Sequence, residues 1–129
     1  MGDIVKKRTF CSNKGNVPKF PYSQAVIYGD LIYISGQPPV DPETQEPISG
    51  DVKEQTRQML SNVSGILEDA GTSLENTIKV TALLKDRSLF SDFNEAYAEF
   101  FQENPPARTP VFTDTGSNLV CMDFIAGLE

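Results

Sequence analysis

Arg108 is the residue of this sequence whose type and position best suit the binding of a carboxylate. It lies in the segment Pro105-Pro106-Ala107-Arg108-Thr109, between the end of a predicted helix and the start of a predicted strand. A guanidinium held at the entrance of a strand by preceding prolines can form two parallel hydrogen bonds to a carboxylate. An ordinary ion pair at the protein surface is the alternative, and the local pattern leaves both interpretations open.

Asp123 stands within the otherwise apolar stretch Val120–Ile125. Neighbouring side chains of a strand point to opposite faces, so we expect Met122 and Phe124 to pack in the core while Asp123 points into a cleft. A carboxylate among apolar neighbours loses part of its hydration, which suits acid–base chemistry. An exposed position on a strand is the other interpretation.

Further polar or small residues could orient a small substrate, although each is by itself an ordinary loop or cap residue: Tyr22, Ser35, Gly36, Gln37 and Asn94.

The sequence contains no histidine. This excludes Ser-His-Asp triads, Cys-His pairs, histidine-ligated metals and ribonucleases that use histidine as acid and base. Dinucleotide-binding, P-loop and zincin functions have no support, because the GxGxxG, Walker A and HExxH motifs are missing.

Composition predicts one compact acidic domain over residues 1–129, since the chain has 129 residues and a mass of 14.2 kDa. Its 11 lysines and arginines against 18 acidic residues give a net charge of −7. Nucleic acid and anionic membranes repel such a chain unless it has a local basic patch. The one loose basic cluster is interpreted as a solvated leading segment, and it comprises Lys6, Lys7, Arg8, Lys14 and Lys19.

Cys11 and Cys121 lie near opposite ends of the chain without CxxC spacing, which is typical of free thiols in a reducing compartment. Residues 1–7 lack the apolar core of a signal peptide, and no apolar run has the length of a membrane span. We therefore expect a cytoplasmic protein, or the mature form of an organellar one, that does not associate with membranes.

Two strands and a loop are predicted before the first helix. Ala25–Tyr28 and Leu31–Ser35 are rich in strand-forming residues and should pair as a β-hairpin around the turn Gly29-Asp30. The prolines between residues 38 and 50 predict a loop, because proline removes a hydrogen-bond donor and restricts φ.

Two helices are predicted from their end signals and apolar spacing. Asp51 is the predicted N-cap of the first helix, Glu54 returns the hydrogen bond as in a capping box, and Gly71 supplies the left-handed stop. An apolar stripe at helical spacing over residues 89–101 predicts the second helix, which the following double proline must end. We expect its aromatic residues to pack in the core rather than form a binding surface.

Three more strands complete the predicted sheet: Thr77–Leu84, which should be mostly buried, then Thr109–Thr113 and Leu119–Ala126. The order β-β-α-β-α-β-β predicts an α+β fold in which two helices cover one face of a single sheet. Because the chain has nothing left to cover the other face, we expect partner subunits.

Five segments in one consistent order carry a family resemblance: Phe20–Ala25, Ile34–Val40, Phe93–Phe101, Pro106–Thr109 and Met122–Ala126. They resemble the motifs of the RidA/YjgF family, also labelled endoribonuclease L-PSP. The fourth segment matches the Pro-Ala-Arg signature of that family. The resemblance runs from about residue 20 to residue 127 with almost no gaps, and so covers nearly the whole chain.

The resemblance implies a chorismate-mutase-like α+β fold, with a single mixed sheet and two helices on one face, and a homotrimer with three clefts between subunits. It implies an enamine/imine deaminase that hydrolyses 2-aminoacrylate and related 2-imino acids, released by PLP enzymes, to 2-oxo acids and ammonia. No metal or organic cofactor takes part. Arg108 would hold the substrate carboxylate, and Asp123 would position or activate the attacking water. The residues that would line the site are Tyr22, Ser35, Gly36 and Asn94.

Three positions depart from the family pattern. Asp123 stands where the family usually has a glutamate, so its carboxylate is one methylene shorter. Pro110 replaces a cysteine or small residue two positions after Arg108 and cannot donate a backbone N–H. Phe20 replaces the glycine that commonly precedes the Pro-Tyr pair. These changes leave the fold intact but alter the pocket.

Two other functions stay open beside a 2-iminobutanoate/2-iminopropanoate deaminase. A RidA-like trimer that binds small carboxylates or keto acids without turnover is favoured by Asp123 and Pro110. The ribonuclease of the older family label is the third, and the net charge of −7 and the lack of histidine count against it.

Overall fold

The computed structural model describes residues 6–129. Strands in this part of the chain are β1 Arg8–Phe10, β2 Ala25–Tyr28, β3 Leu31–Gln37, β4 Val40–Asp41, β5 Glu46–Pro47, β6 Thr77–Leu84, β7 Ala107–Phe112 and β8 Val120–Gly127. Six of them form one sheet in the order β1-β2-β3-β8-β6-β7. β6 and β7 run parallel and the other neighbours antiparallel, so the sheet is mixed.

Two helices, α1 Val52–Asp69 and α2 Phe90–Ala98, cover one face of this sheet, and the expected α+β fold is confirmed. The core lies between the helices and the sheet. Its completely buried side chains include Met59 and Leu60 of α1, Phe93 of α2 and Val80 of β6. Because both layers turn apolar side chains toward one another, removal of this surface from water stabilises their packing.

The predicted ends of α1 are confirmed. The Glu54 N–H donates to the Asp51 carboxylate at 2.9 Å, and the Asp51 N–H donates back to the Glu54 carboxylate at 3.4 Å. Gly71 follows the helix with φ +90°, a left-handed conformation that glycine adopts without steric cost. All three signals are local, and each works as the sequence predicts.

The second helix is shorter than predicted, because α2 ends at Ala98 rather than at the double proline. The Glu99 N–H donates to the Ala96 carbonyl, three residues earlier, at 3.2 Å. Such 3₁₀-type bonds tighten a last turn and let the chain leave the helix. Phe101 lies beyond the helix but is only 8% exposed, so the prediction that the aromatic stripe packs in the core is confirmed.

The hairpin of β2 and β3 is confirmed, and Gly29 adopts φ +62° at the first central position of its turn. A left-handed glycine there is what a type II′ turn requires. The predicted loop before α1 is partly wrong, because β4 and β5 pair within it as a small antiparallel ribbon. Pro47 tolerates this pairing since each strand of a two-stranded ribbon is an edge strand.

The basic residues of the predicted solvated leading segment are exposed, as expected, but two of them also belong to the folded structure. Arg8 belongs to β1, where it lies opposite Ile27 of β2. The Lys14 ammonium forms an ion pair with the Asp69 carboxylate at 2.9 Å. Both contacts join distant parts of the chain, so local composition carried no sign of them.

The face of the sheet opposite the helices is not covered by any element of residues 6–129, and we call it the open face. The prediction that β6 is mostly buried is wrong, because only alternate residues such as Val80 and Ala82 face the core. Large side chains with exposed area on this sheet include Tyr28, Tyr33 and Val111.

Within residues 6–129, no helix has the length and apolar character needed to cross a bilayer. The same part of the chain does not bring together three or more cysteine or acidic side chains in an arrangement that could hold a metal ion.

Candidate functional site

A β-bulge in β3 lies directly opposite Asp123. Ile34 pairs with Phe124 and Gln37 pairs with Met122, so two residues of β3 face a single residue of β8. The two residues of β3 that stand opposite the single residue Asp123 are Ser35 and Gly36. Bulges bend a strand and redirect its side chains, and they are common beside active sites. Sequence reasoning selected all three residues, and the bulge is what brings them together.

The Asp123 carboxylate lies in a groove of about 440 Å³ on the open face. The groove is lined by Val26, Tyr33, Ile34, Ser35, Lys79, Thr81, Asp123, Phe124 and Ile125. Met122 and Phe124 are 0% and 1% exposed, which confirms the predicted alternation on β8. Asp123 itself is exposed, so the expectation of a desolvated carboxylate is wrong for the single chain.

Two residues of the groove were missed by sequence reasoning. Thr81 pairs with Asp123 across the strands, and Lys79 pairs with Ile125 two residues further along. The Lys79 ammonium donates to the Thr109 hydroxyl at 2.7 Å, which holds a positive charge on the open face. Their signal was present in the sequence, since polar Lys79 and Thr81 alternate with apolar residues.

Ser35 and Tyr22 are both held by neighbouring polar groups. The Ser35 N–H donates to the Gln24 carbonyl at 2.9 Å, and the Ser35 hydroxyl donates to the Ser23 carbonyl at 2.7 Å. The Tyr22 side chain is 44% exposed, and its phenol oxygen accepts a hydrogen bond from the Asn16 side-chain amide at 3.1 Å. With its hydrogen donated to Ser23, the Ser35 hydroxyl offers lone pairs to a ligand.

Cys121 lies on the same face of β8 as Asp123. A Cβ added to Gly36 would meet the Cys121 sulfur at 3.3 Å, so the bulge and this thiol are in close packing. Burial, with a smaller contribution from the Asp123 charge, raises the pKa of the Cys121 thiol to about 11. The thiol is therefore protonated at neutral pH, and its neutral side chain packs beside the groove.

Arg108 lies on the opposite side of the sheet from Asp123. Val80, whose side chain is buried beneath the helices, pairs with both Arg108 and Phe124, whereas Asp123 pairs with Thr81. Because paired residues of a sheet share a face, Arg108 points toward the helices and Asp123 toward the open face.

The Arg108 guanidinium packs against three aromatic rings of α2. Its central carbon lies 5.6 Å from the ring centre of Phe90, 5.4 Å from that of Phe93 and 4.8 Å from that of Tyr97. Cation–π contacts of this kind contribute about 0.5–2 kcal/mol, depending on desolvation. Burial raises the pKa of Tyr97 to about 12, more than the Arg108 charge lowers it, so the phenol stays neutral.

Arg108 has no carboxylate partner within residues 6–129, where the ion pairs are Lys14–Asp69, Lys53–Glu95 and Arg57–Glu99. The interpretation of Arg108 as a surface ion pair therefore has no support within residues 6–129. Asn94 lies between Phe90 and Tyr97 on the same stripe of α2 and is half-buried. A guanidinium that is oriented by its neighbours and not neutralised by them is a ready partner for an anionic ligand.

The predicted site residues thus form two separate groups. We call Asn94 and Arg108 the arginine half-site, and Ser35, Gly36 and Asp123 the bulge half-site. Tyr22 borders a separate pocket beside β1 and is linked to the bulge half-site through Asn16 and Gln37. Since Arg108 and Asp123 point to opposite faces of one sheet, a small molecule cannot contact both of them within a single chain.

Pro110 removes a donor from the free edge of the sheet. The Thr113 N–H donates to the Leu84 carbonyl of β6 at 2.9 Å, so alternate N–H groups from Thr113 back along β7 face β6. Pro110 is an odd number of residues from Thr113, so its nitrogen is not one of these groups and faces away from β6. No ladder bond is lost, as expected for proline on an edge strand, and the altered edge lies beside the arginine half-site.

Comparison with known proteins places this fold in the class of small α+β proteins described as endoribonuclease L-PSP, whose family model matches residues 13–115. The chain belongs to this family, which is also called RidA/YjgF.

Three relatives illustrate the similarity. A RutC family protein of Pyrococcus abyssi is 47% identical over 107 residues, which are 83% of this chain and 84% of the relative. The 2-iminobutanoate/2-iminopropanoate deaminase of Bos taurus is 44% identical over 108 residues, which are 84% of this chain and 78% of the relative. The crystal structure of E. coli TdcF with bound serine has a TM-score of 0.87 and 32% identity, covering 95% of this chain and 99% of that chain.

The raised pKa of Cys121 predicts a pH-dependent difference between the two thiols. An ordinary thiol becomes a thiolate near pH 8.5, whereas Cys121 should remain a thiol until about pH 11. We expect iodoacetamide at pH 8.5 to alkylate exposed Cys11 rapidly and Cys121 slowly, with the Cys121 rate rising toward pH 11. Peptide mass spectrometry measures both rates, and Cys11→Ser isolates the second. Equal rates at pH 8.5 would contradict the burial of Cys121.

Proposed function

We propose that the protein is an enamine/imine deaminase, a hydrolase that converts 2-aminoacrylate and related 2-imino acids into 2-oxo acids and ammonia. The observation that carries this proposal is the Arg108 guanidinium, which is half-buried, stacked on aromatic rings and without a carboxylate partner within residues 6–129. A relative named 2-iminobutanoate/2-iminopropanoate deaminase and a structural neighbour with bound serine, itself a carboxylic acid, support this substrate class.

The complete site is proposed to form between subunits of a homotrimer. A second copy can bring its bulge half-site to the arginine half-site of the first, which one chain cannot do by itself. Tyr33 on the open face and Val111 on the edge strand expose apolar surface, 42% and 38% of their areas, that a neighbouring subunit would cover. Covering the groove would also remove water from Asp123. In a closed ring the same two patches meet at every contact.

The proposed reaction needs one oriented acid and one oriented water. Arg108 holds the carboxylate of the imino acid, which places C2 of the imine in the cleft. The imine binds with its nitrogen protonated. Asp123 accepts a proton from water as the water oxygen attacks C2, and the electrons of the C=N double bond move to nitrogen, which gives a neutral tetrahedral carbinolamine. Asp123 then returns this proton to the amine nitrogen. The C–N bond breaks, the hydroxyl oxygen becomes the carbonyl oxygen of the 2-oxo acid, and the hydroxyl proton leaves with ammonia as ammonium. Asp123 regains its charge, so neither histidine nor a cofactor is required.

Ser35 fits the nitrogen side of this scheme. Its hydroxyl hydrogen is donated to the Ser23 carbonyl, so its lone pairs can accept a hydrogen bond from the N–H of a protonated imine or of the departing ammonia. Asn94 lies in the arginine half-site and can donate to or accept from the bound acid.

The decisive experiment measures the loss of free imine. Threonine dehydratase generates 2-iminobutanoate in the cuvette, and semicarbazide traps the imine that remains. We expect the protein to lower semicarbazone formation in proportion to its concentration. Binding of 2-oxobutanoate without any effect on the imine would instead favour the non-catalytic carboxylate-binding function, which the short Asp123 side chain makes the second candidate.

Substitution of Arg108 should remove activity without unfolding the chain. Loss of one partner of a desolvated charge pair costs about 2–5 kcal/mol, so Arg108→Ala should lower kcat/KM on the order of thirtyfold to several-thousandfold. The matched control is Arg57→Ala, which removes the same charge from an exposed ion pair with Glu99. If Arg108→Ala binds 2-oxobutanoate as well as the parent protein does, Arg108 is not the carboxylate ligand.

Mixing two inactive variants tests whether the site is shared between subunits. Arg108→Ala and Asp123→Asn are denatured together and refolded, and activity is compared with each variant alone. Random assembly joins an intact Arg108 to an intact Asp123 of a neighbour at about one site in four. We therefore expect roughly a quarter of the parent activity and a light-scattering mass near three chains. No recovery, or a mass of one 14.2 kDa chain, would refute the shared site.

The length of the Asp123 side chain predicts weak activity in the parent protein. One methylene withdraws the carboxylate by about 1.5 Å, the length of a carbon–carbon bond. Misplacing a catalytic group by about 1 Å can cost on the order of a hundredfold in rate. We expect Asp123→Glu to raise kcat and Asp123→Asn to lower it, with trimer mass and thermal stability little changed. A slower Asp123→Glu would show that the pocket is built around the shorter acid.

A further inference from the structure

The side chain of Gln37 is completely buried directly after the bulge, and both ends of its carboxamide are bonded. Its Nε2 donates to the Ser35 carbonyl at 3.2 Å, and its Oε1 accepts from the Asn16 N–H at 3.1 Å. One buried side chain therefore joins the bulge to the loop between β1 and β2. A buried amide with both ends bonded has little freedom to turn, because each lost bond would leave a polar group without a partner.

The contact with Asn16 extends this connection to Tyr22. The Asn16 side-chain amide donates to the Tyr22 phenol oxygen at 3.1 Å, and the Asn16 carbonyl accepts from the Gln24 side chain at 2.9 Å. The path from Ser35 through Gln37 and Asn16 to Tyr22 consists of three hydrogen bonds. It connects the loop segment that contains Tyr22 to the bulge residues Ser35 and Gly36.

The packing around Gln37 requires the close approach of the loop backbone. A Cβ added to Gly15 would lie 3.0 Å from the Gln37 Oε1 atom and 2.5 Å from the Ile66 Cδ1 atom. A side chain on the residue before Asn16 would therefore require the buried Ile66 and Gln37 side chains to move. Glycine at this position lets the Asn16 N–H reach the buried carboxamide.

We propose that Gln37 is a positioning residue, which sets the Ser35–Gly36 peptide of the bulge relative to Tyr22. Since a trans peptide is planar, holding the Ser35 carbonyl also holds the direction of the Gly36 N–H. Gln37 thus determines how the backbone and hydroxyl groups of the bulge are presented to a ligand, although it does not touch the ligand itself. Its role in catalysis rests on the proposed imine hydrolysis, whereas its role in positioning does not.

The first test compares Gln37→Leu with Gln55→Leu. Gln55 is also buried, and its Oε1 accepts from the Leu119 N–H at 2.9 Å, away from Tyr22 and the bulge. Both variants lose buried hydrogen bonds and should lose stability. We expect Gln37→Leu alone to lower kcat on the order of a hundredfold with KM little changed, because Arg108 still holds the substrate while the bulge is misplaced.

A second measurement follows position without any reaction. In ¹H–¹⁵N spectra of the free protein, Gln37→Leu should shift the amide signals of Asn16, Tyr22 and Gly36, and Gln55→Leu should leave them in place. If the parent binds 2-oxobutanoate but hydrolyses no imine, the deaminase proposal fails. The positioning role of Gln37 is then tested by these amide signals and by the dissociation constant of 2-oxobutanoate, compared between Gln37→Leu and Gln55→Leu.

If Gln37→Leu does not fold, Gln37→Glu tests the same hydrogen bond to the Ser35 carbonyl. A carboxylate at this position accepts from the Asn16 N–H but cannot donate to the Ser35 carbonyl, whereas the protonated acid can do both. Its activity or ligand affinity, relative to the parent at the same pH, should therefore rise as the pH falls. Unshifted Tyr22 and Gly36 signals in the Gln37 variants, or a Gln37→Leu rate equal to that of Gln55→Leu, would overturn the proposal.

Discussion

Two helices in this chain can cover only one face of its six-stranded sheet, and this constraint determines where every functional group lies. The covered face demands apolar side chains at alternate positions, such as Val80, Ala82 and Met122. The intervening positions are left on the open face, where Lys79 and Asp123 stand. The open face carries both apolar and polar side chains. Such a face is stable in water when its apolar area is small or is covered by another molecule. The proposed assembly and the proposed function would therefore use the same surface.

The β-bulge and the stacked arginine would serve different parts of the proposed reaction. At the bulge, an extra residue in β3 places both Ser35 and Gly36 opposite Asp123. At the sheet edge, the aromatic rings of α2 orient Arg108 without neutralising it, since rings attract a cation but carry no net charge. The proposed hydrolysis of an imine would need both a bound substrate carboxylate and an oriented water, and the two groups proposed for these roles, Arg108 and Asp123, lie on opposite faces of the sheet.

Local signals in the sequence determined much of the fold. The capping pair Asp51 and Glu54, the stop at Gly71 and the turn at Gly29 each act within a few residues, so their effects were readable before the structure. Period-two alternation around Asp123 likewise predicted which neighbours are buried. The same alternation in β6 was present but overlooked, because a run of β-branched and aliphatic residues was interpreted as a mostly buried strand.

Only the tertiary structure decided how the candidate site is divided. The face that Arg108 takes depends on the register between β7 and β6, a pairing of segments far apart in the sequence. The strand β1, the ion pair of Lys14 and the link from Gln37 to Asn16 also depend on distant partners. The sequence by itself determined the two helices, five of the strands, the family and the identity of the chemical groups, but not β1 or the β4–β5 ribbon. Whether those groups meet depends on register and on which face is covered, and non-local packing sets both.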